Sequence, residues 1–383
     1  DRFHDESSGG QAGMAEKEVH HQGSGPSFLR LDPRPGLSRR EWAFLGLLMI
    51  AGTLLAIPGI DHNLWYDEAA TVIRYVRLPA TEIITGFSTL NNHIFYSLSA
   101  HFTTWLFGES EWTLRLPALV FGIGTIPVLY VMCRQFSTWH VAGLASVFLT
   151  FNYQFIWFSQ NARGYTAVML GSALATVLFI RIITDSRPSS RLLAAYAVVV
   201  ALSAWTHLSG VIVALAHGAT WLMISAGPLF RGEWRRPVRQ ASALAGAALL
   251  TLLLYAHIID QVFAAFQAHN PDWGEPAVEI VQPEIPAGQE LQQEQNKQTA
   301  HRLVWTAQEF LKGIGKSLPG GWLAATVLGL VLAAGLFAAL RGGILVFGLL
   351  AFPILIAVLV ALFAISAFLP RFIFCSVPFI ILL

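Results

Sequence analysis

Long apolar stretches dominate this chain and limit what it can fold into. Nine stretches of about 17 to 25 residues are long and apolar enough to cross a bilayer as helices. Hydrophobic residues make up 55% of the 383 positions and charged residues 12%, whereas an ordinary soluble domain has about 25% charged residues. The sequence therefore predicts an all-α polytopic membrane protein and excludes a water-soluble fold. The predicted spans are 43–60, 114–133, 138–158, 164–183, 192–207, 210–227, 238–259, 320–340 and 344–369.

The two ends of the chain differ from this pattern. Residues 1–40 are polar and predict a disordered cytoplasmic tail, with Met14 as a candidate native start. The last apolar run begins at Phe372 and has reached only twelve residues at Leu383, too few for a helix to cross about 30 Å. We therefore expect a membrane domain over 41–383 with about ten transmembrane helices, the last one truncated.

Charge and cysteine content exclude further classes of protein. The net charge is +1 and the basic residues are scattered, so the chain lacks the basic surface that binds nucleic acid. Cys133 and Cys375 are the only cysteines, and both lie in or beside apolar runs. A disulfide framework or a zinc site is therefore not expected.

The run from Ile94 to Phe107 decides the topology. Its fourteen residues include five interleaved polar side chains, which suits an interfacial helix better than a span. If it does not span, the arginines of the short loops fall on one side, as the positive-inside rule requires of the cytoplasmic face. The N-terminus is then cytoplasmic, and the longer loops 61–113 and 260–319 lie outside. If 94–107 does span, every later loop changes side.

An adjacent acidic pair, Asp67 and Glu68, follows the first span on the predicted outer side. A carboxylate at a low-dielectric boundary has a raised pKa and can accept a proton from a hydroxyl, or it can attract a cation. The alternative is structural: Asp67 caps a helix over 68–77, and Glu68 interacts favourably with its dipole. Both interpretations stay open at this stage.

Polar residues of the first loop and the second span also have two interpretations. Asn92 and His93 directly precede the predicted interfacial helix; they either contact a phosphate or a metal, or lie idle among the headgroups. Arg115 begins the second span, where contact with a headgroup phosphate by snorkelling is the default explanation.

The outer turn 159–165 contains Gln160, Arg163 and Tyr165. The positive-inside rule disfavours an outer arginine, so Arg163 indicates an anionic partner, either a lipid headgroup or a phosphate-bearing substrate. His207 ends the fifth span on the same face and Arg371 begins the last run there. Because a topology based only on loop charge brings these residues and the acidic pair to one face, we predict a site for a phosphorylated, membrane-borne substrate.

Six short motifs in a fixed order resemble the GT-C superfamily of polyprenyl-phosphate-sugar-dependent glycosyltransferases. Within it, the order is most similar to the protein O-mannosyltransferase and aminoarabinose-transferase branch. The motifs are Trp-x-Asp-Glu at 65–68, Asn-x-His at 91–93, Phe-Gly-x-Ser-Glu-x-x-x-Arg-Leu-Pro at 107–117, Ser-Gln-x-Ala-Arg-x-Tyr at 159–165, Thr-His at 206–207, and Pro-Arg with an aromatic at 370–372.

The resemblance implies a GT-C-like helix bundle with interfacial helices in the first external loop and Asp67 as the catalytic residue. It implies inverting sugar transfer from a polyprenyl-phosphate donor to a protein, lipid or glycan hydroxyl, outside a plasma (inner) membrane. Glu68 is the second predicted catalytic residue and would orient the acceptor or hold a cation. The predicted substrate-binding residues are Asn92, His93, Arg115, Gln160, Arg163, Tyr165, His207 and Arg371. A divalent cation held by Asp67 and His93 is a candidate cofactor, and no nucleotide cofactor is expected.

The chain departs from the family pattern in two places. Ile94 and Phe95 stand where relatives often have two prolines, and Phe372 replaces the commoner tyrosine.

Two other classes of protein stay open. A transporter or flippase of lipid-linked sugars predicts inverted repeats and polar groups at mid-membrane, which the sequence lacks. A scaffold protein would leave the acidic pair and the outer arginines without a role.

Overall fold

The computed structural model describes residues 32–89, 92–269 and 333–363, together with the single positions 330, 378 and 380. Within these residues every regular element is a helix, as expected. The helices are α1 (Arg39–Ala56), α2 (Tyr66–Thr71), α3 (Ala80–Thr85), α4 (Ile94–Phe107), α5 (Glu111–Arg134), α6 (Trp139–Thr150), α7 (Tyr153–Ser159), α8 (Tyr165–Thr184), α9 (Ser190–Thr206), α10 (Gly210–Phe230), α11 (Arg235–Tyr255), α12 (Ile259–His269) and α13 (Ile344–Phe363).

Helices α5, α8 and α9 form the centre of the bundle. Helix α8 packs against both α5 and α9, α9 packs against α11, and α10 packs against α13. Buried apolar side chains, among them Ile126, Met169 and Phe179, fill the space between them. Because short turns join α8, α9, α10 and α11, consecutive helices run in opposite directions. The start of α8 therefore lies with the end of α9, and the end of α8 lies with the start of α11.

Helix α4 has the bounds predicted for the interfacial helix. At 1.5 Å per residue its fourteen residues extend about 21 Å, less than the hydrocarbon thickness of about 30 Å. It packs against α5, α9 and α3. The Tyr96 hydroxyl donates a hydrogen bond to the Leu114 carbonyl at 2.6 Å, which attaches α4 to the start of α5.

The predicted span 138–158 is not one helix. It consists of α6 and α7, which meet at an angle of 61°. The Asn152 side chain accepts a hydrogen bond from the Phe155 backbone N–H at 3.0 Å and so caps a new helix where α6 ends. This polar cap interrupts a stretch that is apolar in composition, and α7 leads directly into the loop 160–164.

Five described helices are long and apolar enough to cross a membrane, and the bent pair α6–α7 makes a sixth. Helix α9 and the part of α13 from Ile344 to Ala357 are shorter apolar helical stretches. Most of the predicted span 320–340 and of the loop 260–319, the last run, and residues 1–31 of the predicted tail lie outside the described residues. The count of about ten spans therefore stays a prediction.

Residues 32–38, which were expected to belong to the disordered tail, make specific contacts. The Gln135 side chain donates to the Pro33 carbonyl at 3.0 Å, and Arg34 lies 3.4 Å from the Asp185 carboxylate. Ser38 and Glu41 form a capping box at the start of α1. These contacts pack residues 32–38 against the ends of α5 and α8.

Candidate functional site

The acidic pair lies in the first turn of α2, and its two members face different surroundings. Helix α2 begins at Tyr66, and Trp65 is its N-cap residue. Glu68 accepts a hydrogen bond from the Trp65 backbone N–H at 2.8 Å, so the acidic residue that satisfies the helix terminus is Glu68. The interpretation of Asp67 as the N-cap is therefore wrong, because the helix starts one residue before it.

Glu68 and Arg115 form a buried ion pair. The Arg115 Nε donates to Glu68 Oε1 at 2.9 Å and its Nη2 donates to Oε2 at 2.8 Å, while the two side chains are 0% and 2% exposed. The backbone N–H of Ala162 also donates to Glu68. The carboxylate thus joins α2, the start of α5 and the loop that follows α7.

The other donors of Arg115 are used by the segment that follows α1. Nη1 donates to the carbonyls of Ile60 at 3.0 Å and of His62 at 2.6 Å, and Nη2 donates to that of Asn63 at 3.2 Å. Arg115 is thus turned into the protein and surrounded by acceptors, so it does not snorkel to headgroups. All N–H groups of Arg115 donate to protein acceptors, so none is left for the predicted contact with substrate.

Asp67 points away from this buried pair. Its carboxylate is 40% exposed, and Oδ2 lies 3.4 Å from Nη1 of Arg163, which is 3% exposed. Arg163 comes from the turn between α7 and α8, ninety-six residues later in the chain. The structure thus joins the predicted catalytic residue and the predicted phosphate-binding arginine, which the sequence could only assign to one face.

Arg163 is buried with donor capacity left over. Its Nη2 lies 3.3 Å from both the Tyr165 hydroxyl and His93 Nε2, and its guanidinium lies over the Tyr165 ring at 5.4 Å. Among the described residues, none accepts a hydrogen bond from its Nε. A buried arginine with an unused N–H is costly without a ligand, so this position suits an anion.

His93, Tyr165 and His207 form an aromatic group beside Arg163. The His93 and His207 ring centroids are 4.8 Å apart, and those of His93 and Tyr165 are 5.1 Å apart. The backbone N–H of Gly164 donates to His93 Nδ1 at 2.8 Å. A neutral His93 therefore carries its proton on Nε2, which directs a second donor to the side of the ring where Arg163 lies.

Two positions that sequence reasoning did not select, Gly164 and Tyr96, support this group together with Thr206 of the Thr-His motif. A Cβ on Gly164 would lie 2.9 Å from His93 Nδ1 and would also meet the Thr206 side chain. The same Cβ would lie 3.2 Å from the Cβ of Tyr96. Burial of Tyr96, together with the nearby Glu68 carboxylate, raises the pKa of its hydroxyl well above the usual value. Of the two unselected positions, Gly164 is the one that the sequence could have indicated, because a glycine stands between Arg163 and Tyr165.

Two further predicted residues bind the backbone. The Gln160 side chain donates to the Ala56 carbonyl at 2.9 Å, and the Asn92 side chain donates to the Gly86 carbonyl at 2.8 Å. Both shape the surroundings of the site, and their substrate contacts stay predictions. Arg371 lies outside the described residues.

The described residues contain no group of three or more His, Cys, Asp or Glu side chains that could hold a metal ion. Arg163 contacts both Asp67 and His93, and its positive charge disfavours a divalent cation between them. This arrangement does not fit the predicted metal pair. The metal requirement stays a prediction, and the mechanism below does not use it.

Two crystal structures of ArnT from Cupriavidus metallidurans are similar in fold to this chain. The apo structure has a TM-score of 0.52 and 14% identity over 89% of this chain and 58% of ArnT. The structure bound to undecaprenyl phosphate has a TM-score of 0.55 and 13% identity over 90% of this chain and 59% of ArnT. No protein-family model and no curated protein sequence matches the chain.

The fold expected from the resemblance is confirmed, because the chain and ArnT share a fold. The chain spans less than two thirds of the length of the ArnT chain. At this sequence identity the likeness shows the fold alone, and the branch within GT-C stays a prediction.

Proposed function

We propose that this chain, which has the GT-C fold, is a membrane glycosyltransferase that moves a sugar from a polyprenyl-phosphate donor to an acceptor hydroxyl. The observation that carries the proposal is the half-exposed carboxylate of Asp67, 3.4 Å from the buried guanidinium of Arg163. Direct displacement of a lipid phosphate needs an accessible base beside a cation that meets the leaving phosphate. The undecaprenyl phosphate of the ArnT structure supports a lipid donor here too.

In this mechanism Asp67 is the general base. The acceptor hydroxyl gives its proton to the Asp67 carboxylate while its oxygen forms a bond to the anomeric carbon. The bond from that carbon to the phosphate oxygen breaks, and its electron pair leaves with the polyprenyl phosphate. Attack from the face opposite the leaving group inverts the anomeric configuration.

In this mechanism Arg163 contacts both the base, Asp67, and the leaving phosphate. Before the reaction its guanidinium balances the Asp67 carboxylate and holds the donor phosphate through its remaining donors. Protonation of Asp67 removes one negative charge at the moment when the leaving phosphate gains one. The guanidinium then stabilises the new charge, and the Nε2 proton of His93 adds a neutral donor.

Glu68 takes a positioning role in this proposal, in place of the catalytic role expected from the sequence. Its four hydrogen bonds run to Arg115 and to the backbone of Trp65 and Ala162. Since Ala162 precedes Arg163 and Glu68 follows Asp67, this carboxylate sets the distance between base and cation.

The remaining parts of the proposal concern location and partners. We infer a multi-pass inner-membrane protein with a cytoplasmic N-terminus and an extracytoplasmic site, because loop charge and the GT-C fold both favour this orientation. The acceptor is a protein, lipid or glycan hydroxyl, and Arg371 is a further candidate phosphate ligand. A donor that reaches the site within the bilayer requires no nucleotide pocket.

Gene deletion followed by lipid mass spectrometry tests this proposal. We expect one polyprenyl-phosphate sugar to accumulate in membranes of the deletion strain. Expression of the wild type or of Asp61→Asn should remove it, and Asp67→Asn should not. Asp61 is the matched control because it is an exposed acid of the same loop. The accumulated lipid is then the donor for a transfer assay with purified protein.

The same strain separates a transferase from a flippase. Without the transferase, the accumulated sugar faces outward, and impermeant periodate oxidises it in intact spheroplasts. Without a flippase, the sugar faces the cytoplasm and is protected. Protected sugar in the deletion strain would favour transport over transfer.

A further inference from the structure

A cavity lies at the end of the bundle opposite Arg163. It has a volume of about 480 Å³ and is lined by the ends of α8 and α10 and by the start of α11. Ile183 lines it near the end of α8, whereas Tyr165 begins that helix at the candidate site. The rise of 1.5 Å per residue separates the two regions by about 27 Å. What binds in this cavity is therefore independent of the function proposed above.

The cavity has a positive lining. Arg235 and Arg236 line it, and Arg239 follows one turn later on α11. Arg236 donates to the Ile183 carbonyl at 2.7 Å and Arg239 to the Pro188 carbonyl at 2.8 Å, which leaves other N–H groups on each guanidinium. Within the part of the chain that the structure describes, the Arg235 side chain makes no hydrogen bond or ion pair.

The one carboxylate of the lining does not neutralise these arginines. Glu233 pairs with Arg231 at 2.9 Å, so its charge is balanced by a residue outside the lining. The cavity therefore keeps the charge of Arg235 and Arg236. Such a concave, doubly positive surface attracts a phosphate group, to which a guanidinium can donate two hydrogen bonds.

Exposed apolar side chains flank the cavity along the chain. Phe230, Trp234 and Val238 are 93%, 59% and 58% exposed, and Trp234 lines the cavity itself. Farther along α11, Leu249, Leu252 and Leu253 are also exposed. In a membrane protein, tryptophan is enriched at the headgroup level and exposed leucines face the hydrocarbon. A ligand with a phosphate and an apolar part fits this surface better than a free anion.

We propose that this cavity binds the headgroup of an anionic phospholipid. The lipid phosphate accepts hydrogen bonds from Arg235 and Arg236, and the acyl chains lie along Trp234 and Val238. Basic pockets between transmembrane helices on the cytoplasmic side hold anionic headgroups in this way. The positive-inside rule assigns this end of the bundle to that side.

Lipid binding to the purified full chain in detergent tests the proposal. Native mass spectrometry measures adducts with short-chain phosphatidylglycerol and, for comparison, short-chain phosphatidylcholine. We expect Arg235→Gln/Arg236→Gln to weaken phosphatidylglycerol binding about 30-fold, since each arginine near an anionic lipid contributes about fivefold. The matched control is Arg187→Gln/Arg191→Gln, which changes two exposed arginines at the same end outside the cavity, and it should stay within about twofold of wild type.

Three outcomes would overturn the proposal. Equal loss in both double variants would indicate diffuse surface charge, and equal binding of phosphatidylcholine would exclude recognition of an anionic headgroup. Displacement of phosphatidylglycerol by millimolar inorganic phosphate would indicate a soluble anion site. If the double variant does not fold, Arg235→Gln alone keeps the test decisive, because the Arg235 side chain makes no hydrogen bond or ion pair to a described residue. It should weaken binding about fivefold.

Discussion

Arg115 and Glu68 lie 47 residues apart in the chain and meet in the protein interior through two parallel hydrogen bonds, at 2.9 and 2.8 Å. The pair holds the start of α5, the first turn of α2 and the segment after α1 in one arrangement. Because Asp67 precedes Glu68 on the same helical turn, this ion pair determines where the Asp67 carboxylate can be. The stability of the fold and the geometry of the site therefore depend on the same interaction.

Glu68→Gln tests this dependence. The substitution leaves the Arg115 guanidinium buried without a counter-charge, and removal of one partner of a buried pair costs about 3 to 5 kcal/mol. We expect a loss of that order in the free energy of unfolding, measured by SDS titration in mixed micelles. Glu109→Gln is the matched control, because its ion pair with Arg77 is solvent-exposed and worth at most about 1 kcal/mol. Equal stability of the two variants would show that the buried pair contributes little.

Asp67→Asn separates catalysis from structure. Asp67 is not the N-cap of α2, and its carboxylate is 40% exposed and 3.4 Å from Arg163. We therefore expect near-normal expression and a smaller loss in the free energy of unfolding than Glu68→Gln causes, because the Glu68 pair is fully buried. Turnover should fall by about two to four orders of magnitude, the usual contribution of a positioned base. The assay is sugar transfer from the radiolabelled lipid donor, with Asp61→Asn as control. Transfer within about threefold of wild type would remove Asp67 as the base.

Arg163→Ala tests the phosphate contact. A hydrogen bond to a charged group is worth about 1.5 to 3 kcal/mol, so the affinity for polyprenyl phosphate should fall by about 10-fold or more, measured by equilibrium binding to purified protein in nanodiscs. The control is Arg77→Ala, which removes an exposed arginine of the loop 61–113 that already pairs with Glu109. Unchanged affinity in Arg163→Ala would mean that this guanidinium only balances Asp67.

Gly164→Ala tests the close packing beneath the site. The added methyl group would lie 2.9 Å from His93 Nδ1 and would meet the Thr206 side chain. We expect a destabilisation of about 1 to 3 kcal/mol, typical of overpacking, and weaker donor binding. Gly218→Ala is the control, because nothing lies within 4 Å of that position inside α10; there alanine should be neutral or stabilising by up to about 1 kcal/mol. The same free energy of unfolding in both variants would contradict the packing argument.

Cysteine labelling tests the topology. In a background with Cys133 and Cys375 replaced by serine, Asp61→Cys should react with an impermeant maleimide in intact cells, and Arg187→Cys should react only after permeabilisation. Both positions are exposed, one beside the site and one at the opposite end of the bundle. The reverse pattern would put the site in the cytoplasm and contradict an extracytoplasmic transferase.

Much of the fold is predictable from local sequence. Apolar length and composition predicted the helical membrane protein, and the polar residues within 94–107 predicted a short helix with the bounds that α4 has. Loop charge alone predicted that Asp67, His93, Arg163 and His207 lie at one end of the bundle, where the structure has them. These features are local because a helix in lipid satisfies its own backbone hydrogen bonds, so its existence depends on little beyond its own residues.

The partners of the charged residues depended on tertiary structure. From the sequence, Asp67 and Glu68 were interpreted as one acidic pair. In the structure Glu68 points inward to Arg115, whereas Asp67 points outward to Arg163. Neither partner is within forty residues of the pair, and which side chain meets which arginine depends on how α2, α5 and the loop before α8 pack. The bend between α6 and α7 likewise depends on the Asn152 cap, which apolar composition does not reveal. Helix formation is a local property of the chain, whereas ion pairing and burial result from contacts between distant segments.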